Sequence, residues 1–228
     1  MNFHSLRRLP LRLDKFESLG RVSFVPMPPS PATDETPLRR KVMDAALELF
    51  VERTWEGTNV PEIATRAGVA VGTIYRYFPN KQALGEAVFT EAKAAFAATV
   101  VTDAVREADP VTAIDLIWRH QVAFALAYPQ AFSFLEHQMH GSYLRPQAYE
   151  VVDRLNAELV EIIRAAQTAG AVRAGDPQVL LSMVFGAFVG VTKHSRASGI
   201  PLGEYDLEAV REASMSLIGL TCPVSDAP

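Results

Sequence analysis

Between Val71 and Lys81 the sequence VGTIYRYFPNK gathers the hydroxyls of Thr73, Tyr75 and Tyr77, the guanidinium of Arg76 and the ammonium of Lys81. The stretch holds no nucleophile beside a base. Hydroxyl and cationic donors in this density suit a polyanion, whose phosphate oxygens accept from all of them. Arg76 can also reach a base edge. Val71 and Gly72 stand at the leading tip, where base edges would be approached, and Val71 offers at most an apolar contact to a thymine methyl. Tyr75 and Tyr77 have a second reading as half-buried packing residues. One tyrosine alone would favour it; Thr73, Arg76 and Lys81 beside the pair favour contact with DNA.

Two short helical patterns must hold these groups in place. Asn59 can cap the first, with Glu62 three residues on as reciprocal partner and Pro61 tolerated in the first turn. Ile63, Ala64 and Ala67 form a small apolar face. Gly68 follows where a sharp turn needs positive φ. Ile74 and Phe78 then share one stripe of a second helix facing the first, which leaves the polar and aromatic residues for its other faces. A tight helix pair with such a second helix is what entry into a DNA major groove requires.

The run IATRAGVAVGTIYRYFPNKQAL, preceded by GTNV, resembles the helix-turn-helix of the TetR-type (tetracycline-repressor-like) transcriptional regulators. Ile63 and Ala64, the Ala67-Gly68-Val69 turn, Gly72-Thr73-Ile74-Tyr75, Tyr77-Phe78 and Lys81 all fall in register. The resemblance covers residues 38 to 90; beyond them only helix number and length agree with the family. It implies that Thr73 and Tyr75 touch the DNA backbone and that Lys81, opening the next helix, holds a flanking phosphate.

Composition is compatible with this. A chain of 228 residues with 49% hydrophobic and 21% charged residues can bury a sizeable core in one or two domains. The net charge of −4 excludes a wholly basic nucleic-acid coat protein, but local distribution decides DNA binding. From Arg39 to Lys81, the cations Arg39, Arg40, Lys41, Arg53, Arg66, Arg76 and Lys81 outnumber Asp44, Glu48, Glu52, Glu56 and Glu62. The single cysteine, Cys222, excludes an intramolecular disulfide framework and a multi-cysteine zinc site, and points to a reducing cytoplasm. No apolar run approaches the roughly 20 residues of a membrane span, so no membrane association is expected.

Residues 1–36 read as an extension ahead of the folded chain. They carry Arg7, Arg8, Arg12, Lys15 and Arg21 and then the proline-rich VPMPPSPATDETP, which cannot build a regular helix or a core. A basic arm reaching DNA phosphates or the minor groove is one reading. A targeting peptide is another, opposed by Asp14, Glu17 and the lack of a continuous apolar core. An unstructured extension, with Met27 as the true start, is the reading favoured here.

The rest of the chain reads as helices alone, giving an all-α fold. Residues 37–84 form an N-terminal three-helix DNA-binding domain, residues 85–221 a larger helical effector-binding and dimerisation domain, and residues 222–228 a flexible tail. Val42, Ala45, Ala46, Leu49 and Phe50 recur at helical spacing from Pro37, and Trp55 is expected to cover the bottom of the small core. A long helix starts at the cap Asn80 and runs past Phe96 toward Val101. Asp109-Pro110 opens a helix to Tyr128, and Gln130 to His140 forms a short one ending at Gly141. Further helices are expected from Arg145 to Ala169, from Val179 to His194, and from Leu207 to Leu220.

Three sets of residues in the second domain suggest function. The helix of Val184, Phe185, Phe188, Val189 and Val191 has more apolar faces than one buried side needs, and Gly186 and Gly190 would admit a close neighbour. An internal core helix rivals an interface here. The family resemblance, which implies two C-terminal helices pairing across a homodimer, favours the interface, with Phe185, Gly186, Val189, Gly190, Ala213 and Leu217 in the seam. Trp118, Phe124, Tyr128, Phe132, Phe134 and Tyr143 crowd the middle helices. Core filling explains each singly; the resemblance implies an effector pocket, bordered by Trp118, Phe124, Tyr128 and Phe132 with His120 or His137 orienting an apolar or aromatic ligand. His120, His137 and His140 could also suggest a metal site. Glu136 points away from the His137/His140 line and no HExxH-like order is present, so no metal is expected.

The expectation is a cytoplasmic, dimeric, ligand-responsive transcriptional regulator without enzymatic activity or cofactor, most simply a repressor. It would bind a palindromic double-stranded operator and leave it when a small apolar or aromatic effector binds. The alternative is an all-α enzyme or metal-binding protein using the His120/His137/His140 region.

Overall fold

A computed structural model of the chain describes residues 36–220. The basic, proline-rich segment and the Cys222 tail lie outside the described residues. Within them are ten α-helices and no strand. In order these are α1 (Pro37–Arg53), α2 (Val60–Ala67), α3 (Val71–Tyr77), α4 (Lys81–Val100), α5 (Asp103–Glu107), α6 (Pro110–Ala127), α7 (Pro129–His137), α8 (Glu150–Thr168), α9 (Pro177–Ser198) and α10 (Leu207–Leu217).

Short polar side chains start most of the long helices by accepting from otherwise orphaned backbone N–H groups. Thr36 accepts from Arg39, Asn80 from Ala83, Asp109 from Val111 and Thr112, Asp176 from Gln178, and Asp206 from Ala209. Pro37, Pro110 and Pro177 sit in first turns, where the missing N–H costs nothing. Gly199 ends α9 in the left-handed region at φ 73°, where a Cβ would be strained.

The core is continuous from one end of the molecule to the other. Phe50 of α1, Ile63 of α2 and Ile74 of α3 close the small N-terminal bundle, all at most 1% exposed. Leu84, Val88 and Ala92 carry the same core along α4, and Phe96 leads it into the packed rings of Phe124, Phe132 and Phe188. α4 runs unbroken across the expected division between residues 84 and 85.

The helix boundaries differ from expectation in places. α7 stops at His137 rather than His140, because Gln138, His140 and Tyr143 leave the helical path to bind the N-terminal bundle and the core beside it. α8 begins at Glu150, after a 3-10 turn at Pro146–Tyr149. α10 ends at Leu217, and Gly219 turns the chain at φ 82°. The five-residue α5 has no periodicity long enough to read; burial of Val105 and ion pairs from Arg106 to Glu158 and Asp103 hold it.

Candidate nucleic-acid interface

The α2–α3 unit is held by the signals read from its sequence. Asn59 Oδ1 accepts from the Glu62 N–H at 3.0 Å, and Glu62 Oε2 accepts from the Asn59 N–H at 3.4 Å. Gly68 adopts φ 66°, ψ 39°, so the chain reverses and the Val69 N–H can donate to the Ala64 carbonyl at 2.9 Å. Ile74 and Phe78 are buried, which rotates the opposite face of α3 outward.

That outward face carries the residues singled out in the sequence. Val71 is 36% and Tyr75 48% exposed, and Gly72 and Arg76 are exposed beside them. A Cβ added to Gly72 would meet nothing within 4 Å, so the backbone at the tip of α3 is open to a partner. Thr73, Tyr77 and Lys81 are half-buried at its border. The Tyr77 hydroxyl accepts from Thr36 at 3.1 Å, and the Arg76 guanidinium lies 5.3 Å from the Tyr77 ring centroid. Lys81 Nζ stands 4.1 Å from the centroid of the Trp55 ring. Burial against that ring lowers its pKa, while Glu56 opposes the shift.

Several cations counted in the sequence are engaged with protein carboxylates. Arg53 pairs with Glu62 at 2.8 Å, and Arg66 spans Glu48 and Glu52 at 2.9 and 3.0 Å. Arg39 and Arg40 both turn to the buried Glu91 of α4. These pairs tie α1 to α2 and α4, whereas Arg76 lies exposed on α3 and Lys81 half-buried at its border.

Sequence reasoning missed how the second domain grips this unit. The Trp55 indole stacks on Tyr143, ring centroids 4.6 Å apart. Gln82 Nε2 donates to the Tyr143 carbonyl at 2.8 Å, Gln138 Nε2 to the Phe50 carbonyl at 2.6 Å, and Ser142 to Glu56 at 2.6 Å. Arg145 grips Glu86 with two nitrogens at 2.5 to 3.0 Å, and this holds the Glu86 carboxyl below its ordinary pKa. Arg196 of α9 donates to the Val51 carbonyl at 3.2 Å. These partners lie up to 145 residues apart in the chain, so no local pattern announces them.

The aromatic residues of the second domain pack largely on one another. Phe96 meets Phe124 and Phe132, Phe188 meets Trp118 and Phe132, and Tyr128 lies against Phe124. A small void of about 10 Å³ lies between α6, α8 and α9, bordered by Trp118 and Gln121 among apolar side chains. His120, Phe124, Tyr128, Phe132 and His137 do not line it. Gln121 is 1% exposed with neither amide atom bonded, and the Trp118 Nε1–H is buried without a partner. Such orphaned groups cost roughly 1–3 kcal/mol each. A second, open groove of about 590 Å³ runs between α4 and α8, with Arg39, Glu86, Arg145 and Arg154 along it.

The histidines are dispersed on different partners. His120 Nδ1 is 3.2 Å from the Val100 carbonyl; His137 lies between Ser133 and Thr192; His140 lies between the Tyr143 hydroxyl and the Phe134 carbonyl. Glu136 pairs with Lys93 at 3.1 Å. Among the described residues no three His, Cys, Asp or Glu side chains converge on a common point. No helix among them is long and apolar enough to cross a membrane.

On α9, Leu180, Leu181, Val184 and Phe188 turn inward. Gly186 and Gly190 are exposed, with nothing within 4 Å of an added Cβ, and Phe185 and Val189 are half-buried beside them. Ala213 and Leu217 of the adjacent α10 are exposed as well.

Comparison with known proteins agrees with this architecture. The uncharacterized HTH-type transcriptional regulator YvkB of Bacillus subtilis is 40% identical over 55 residues, 24% of this chain and 29% of that protein. The HTH-type transcriptional regulator RutR of Escherichia coli K12 is 31% identical over 156 residues, 64% of this chain and 70% of that protein. The solved structure of the transcriptional regulator FadR of Bacillus subtilis, in complex with stearoyl-CoA, superposes with a TM-score of 0.65 at 23% identity, covering 78% of this chain and 97% of that one. Residues 42–88 match the family described as bacterial regulatory proteins, tetR family, and residues 89–218 match the tetracyclin repressor-like C-terminal domain. A capped helix-turn-helix with an open polar face, continued into a helical second domain that grips it, thus has matching counterparts along the chain from residue 42 to 218, and the protein belongs to the TetR family of DNA-binding transcriptional regulators.

Proposed function

We propose that the protein acts as a homodimeric repressor that binds a two-fold DNA site and leaves it when a small apolar effector occupies the second domain. The observation that carries this reading is the outward face of α3, where Val71, Gly72, Tyr75 and Arg76 are exposed with Thr73, Tyr77 and Lys81 at the border. Thr73, Tyr75 and Lys81 would hold phosphates and fix the register, while the tip at Val71 and Gly72 approaches base edges.

A module this small reaches specific affinity through two copies on a palindromic site. The outward strip of Gly186, Gly190, Ala213 and Leu217, flanked by Phe185 and Val189, supports α9 and α10 as the dimer seam. An effector that favours a different tilt of α4 would change the separation of the two α3 helices, so both could no longer enter successive major grooves. The solved FadR structure is in complex with stearoyl-CoA, whose acyl chain is apolar, which supports a ligand with an apolar portion in this fold.

The test is a fluorescence-anisotropy titration of the purified protein on the DNA upstream of its own gene, at several salt concentrations. Saturable binding to one short segment, two protomers per site, with a steep salt dependence is expected. Equal affinity for that segment and for scrambled DNA would overturn the reading.

A further inference from the structure

Gln121 and Trp118 stand one turn apart on α6, both nearly fully buried, and their side-chain polar atoms find no hydrogen-bond partner. Buried polar side chains ordinarily find partners. Here two orphaned groups border one void, whose other walls, such as Ile114, Leu159, Leu181 and Phe185, are apolar. No charged side chain lines it. A ligand entering there would have to shed its water with no ion to compensate a charge, so a charged head is disfavoured and a neutral dipole is not.

The donor and acceptor inventory narrows the head group further. The indole can only donate, whereas the Gln121 amide both donates and accepts. A carbonyl would accept from the indole N–H and from Gln121 Nε2, and an adjacent N–H would donate to Gln121 Oε1. We propose, on the basis of the effector-responsive reading above, that this void is the closed form of the effector site. Its ligand is a neutral, largely apolar molecule with an amide-type head, held by Gln121 and Trp118. At about 10 Å³ the void admits no more than a water. A larger ligand must part α8 and α9 from α6, and the half-buried Ile162 and Phe185 on its wall are the side chains placed to yield. Phe185 also flanks the outward strip of α9, which gives occupancy a direct route to the subunit seam.

The test uses three probes of similar length: octanamide, 2-nonanone and octanoate. Calorimetric titration of the full chain should show octanamide binding about tenfold or more tightly than either of the others. Gln121→Leu should lower octanamide affinity about tenfold or more and 2-nonanone affinity by a smaller factor, because the ketone loses one donor to its carbonyl whereas the amide also loses the acceptor of its N–H. Trp118→Phe, which keeps a ring but removes the donor, should weaken octanamide and 2-nonanone alike. Unliganded Gln121→Leu should melt at or above the wild-type temperature, because an orphaned amide has been removed. Equal affinity for all three probes, no binding by any up to saturation, or a Gln121→Leu variant that melts well below wild type would overturn the proposal. Operator release measured in parallel separates the two levels. Octanamide binding through Gln121 without loss of DNA affinity sustains the site and sinks the effector reading. Release by octanoate that persists in Gln121→Leu sinks the site and sustains the effector reading.

Discussion

The Trp55 indole lies stacked on the Tyr143 ring, centroids 4.6 Å apart and planes 12° from parallel, with Lys81 Nζ 4.1 Å from the indole centroid. The side chain expected to hold a flanking phosphate therefore rests on the same ring that docks the second domain onto the helix-turn-helix. Tyr143 continues inward, its hydroxyl 2.7 Å from His140 Nδ1, and the His140 ring packs against Phe89 and Phe134. A movement of the segment between α7 and α8 would displace the platform under Lys81 without any change in α3 itself.

Gly85 of α4 makes that stack possible, since an added Cβ would lie 2.7 Å from Trp55 Nε1 and 2.9 Å from Tyr143 Cε2. Gly85→Ala should therefore destabilise the fold by about 1–3 kcal/mol despite the better helix propensity of alanine. Urea unfolding followed by tryptophan fluorescence measures this. An unchanged midpoint would mean that the rings separate freely and carry no interdomain packing.

Tyr75→Phe and Lys81→Ala should weaken binding to specific and scrambled DNA by similar factors, because phosphate contacts carry no base information. Loss of the Lys81 charge should also reduce the log–log salt slope by about one. Wild-type affinity and slope in Lys81→Ala would show that the ammonium remains on Trp55 when DNA is bound.

Gly190→Leu should separate folding from association. The position has open space around it and lies within α9, so the isolated chain should gain roughly 0.5–1 kcal/mol of helix propensity. If α9 helices meet at the seam, the same leucine should raise the dimer dissociation constant about tenfold or more by sedimentation equilibrium. A stable variant that remains fully dimeric would place the seam elsewhere.

Burial lowers the pKa of His140 against its bonds to backbone carbonyls, and burial followed by Arg196 and Lys193 lowers that of His137. Both groups bind protons less readily folded than unfolded. Their contribution is complete above the unfolded value of about 6.5 and is lost as the pH falls below it toward the lowered folded values. The melting temperature should hold steady from pH 8 to about 7 and then decline, before carboxylates such as Glu86, held below its ordinary range by Arg145, protonate. His140→Gln should make that decline shallower. An identical slope in the variant would remove His140 from the acid response.

What was legible in the sequence is the local chemistry. The Asn59–Glu62 capping box, the left-handed turn at Gly68 and the buried pair Ile74 and Phe78 depend on residues within a few positions of one another. Side-chain spacing along one helix therefore determined which face of α3 turns outward. The same locality made the cap at Asn80 and the helix opening at Asp109-Pro110 readable. Tertiary structure alone decided where charges and rings are spent. Counting cations from Arg39 to Lys81 could not reveal that Arg39 and Arg40 turn to Glu91, because ion pairing depends on which helices lie side by side. Helical periodicity placed Trp118, Phe124 and Phe132 on apolar faces but could not tell a pocket wall from a packed core. Only the assembled helices showed that those rings close on Phe96 and Phe188, and that the open space beside them borders Gln121, a residue whose type drew no attention in the sequence. The physical reason is the same in each case: a helix's own sequence sets which side chains share a face, whereas the partner of that face comes from distant parts of the chain and is chosen by packing.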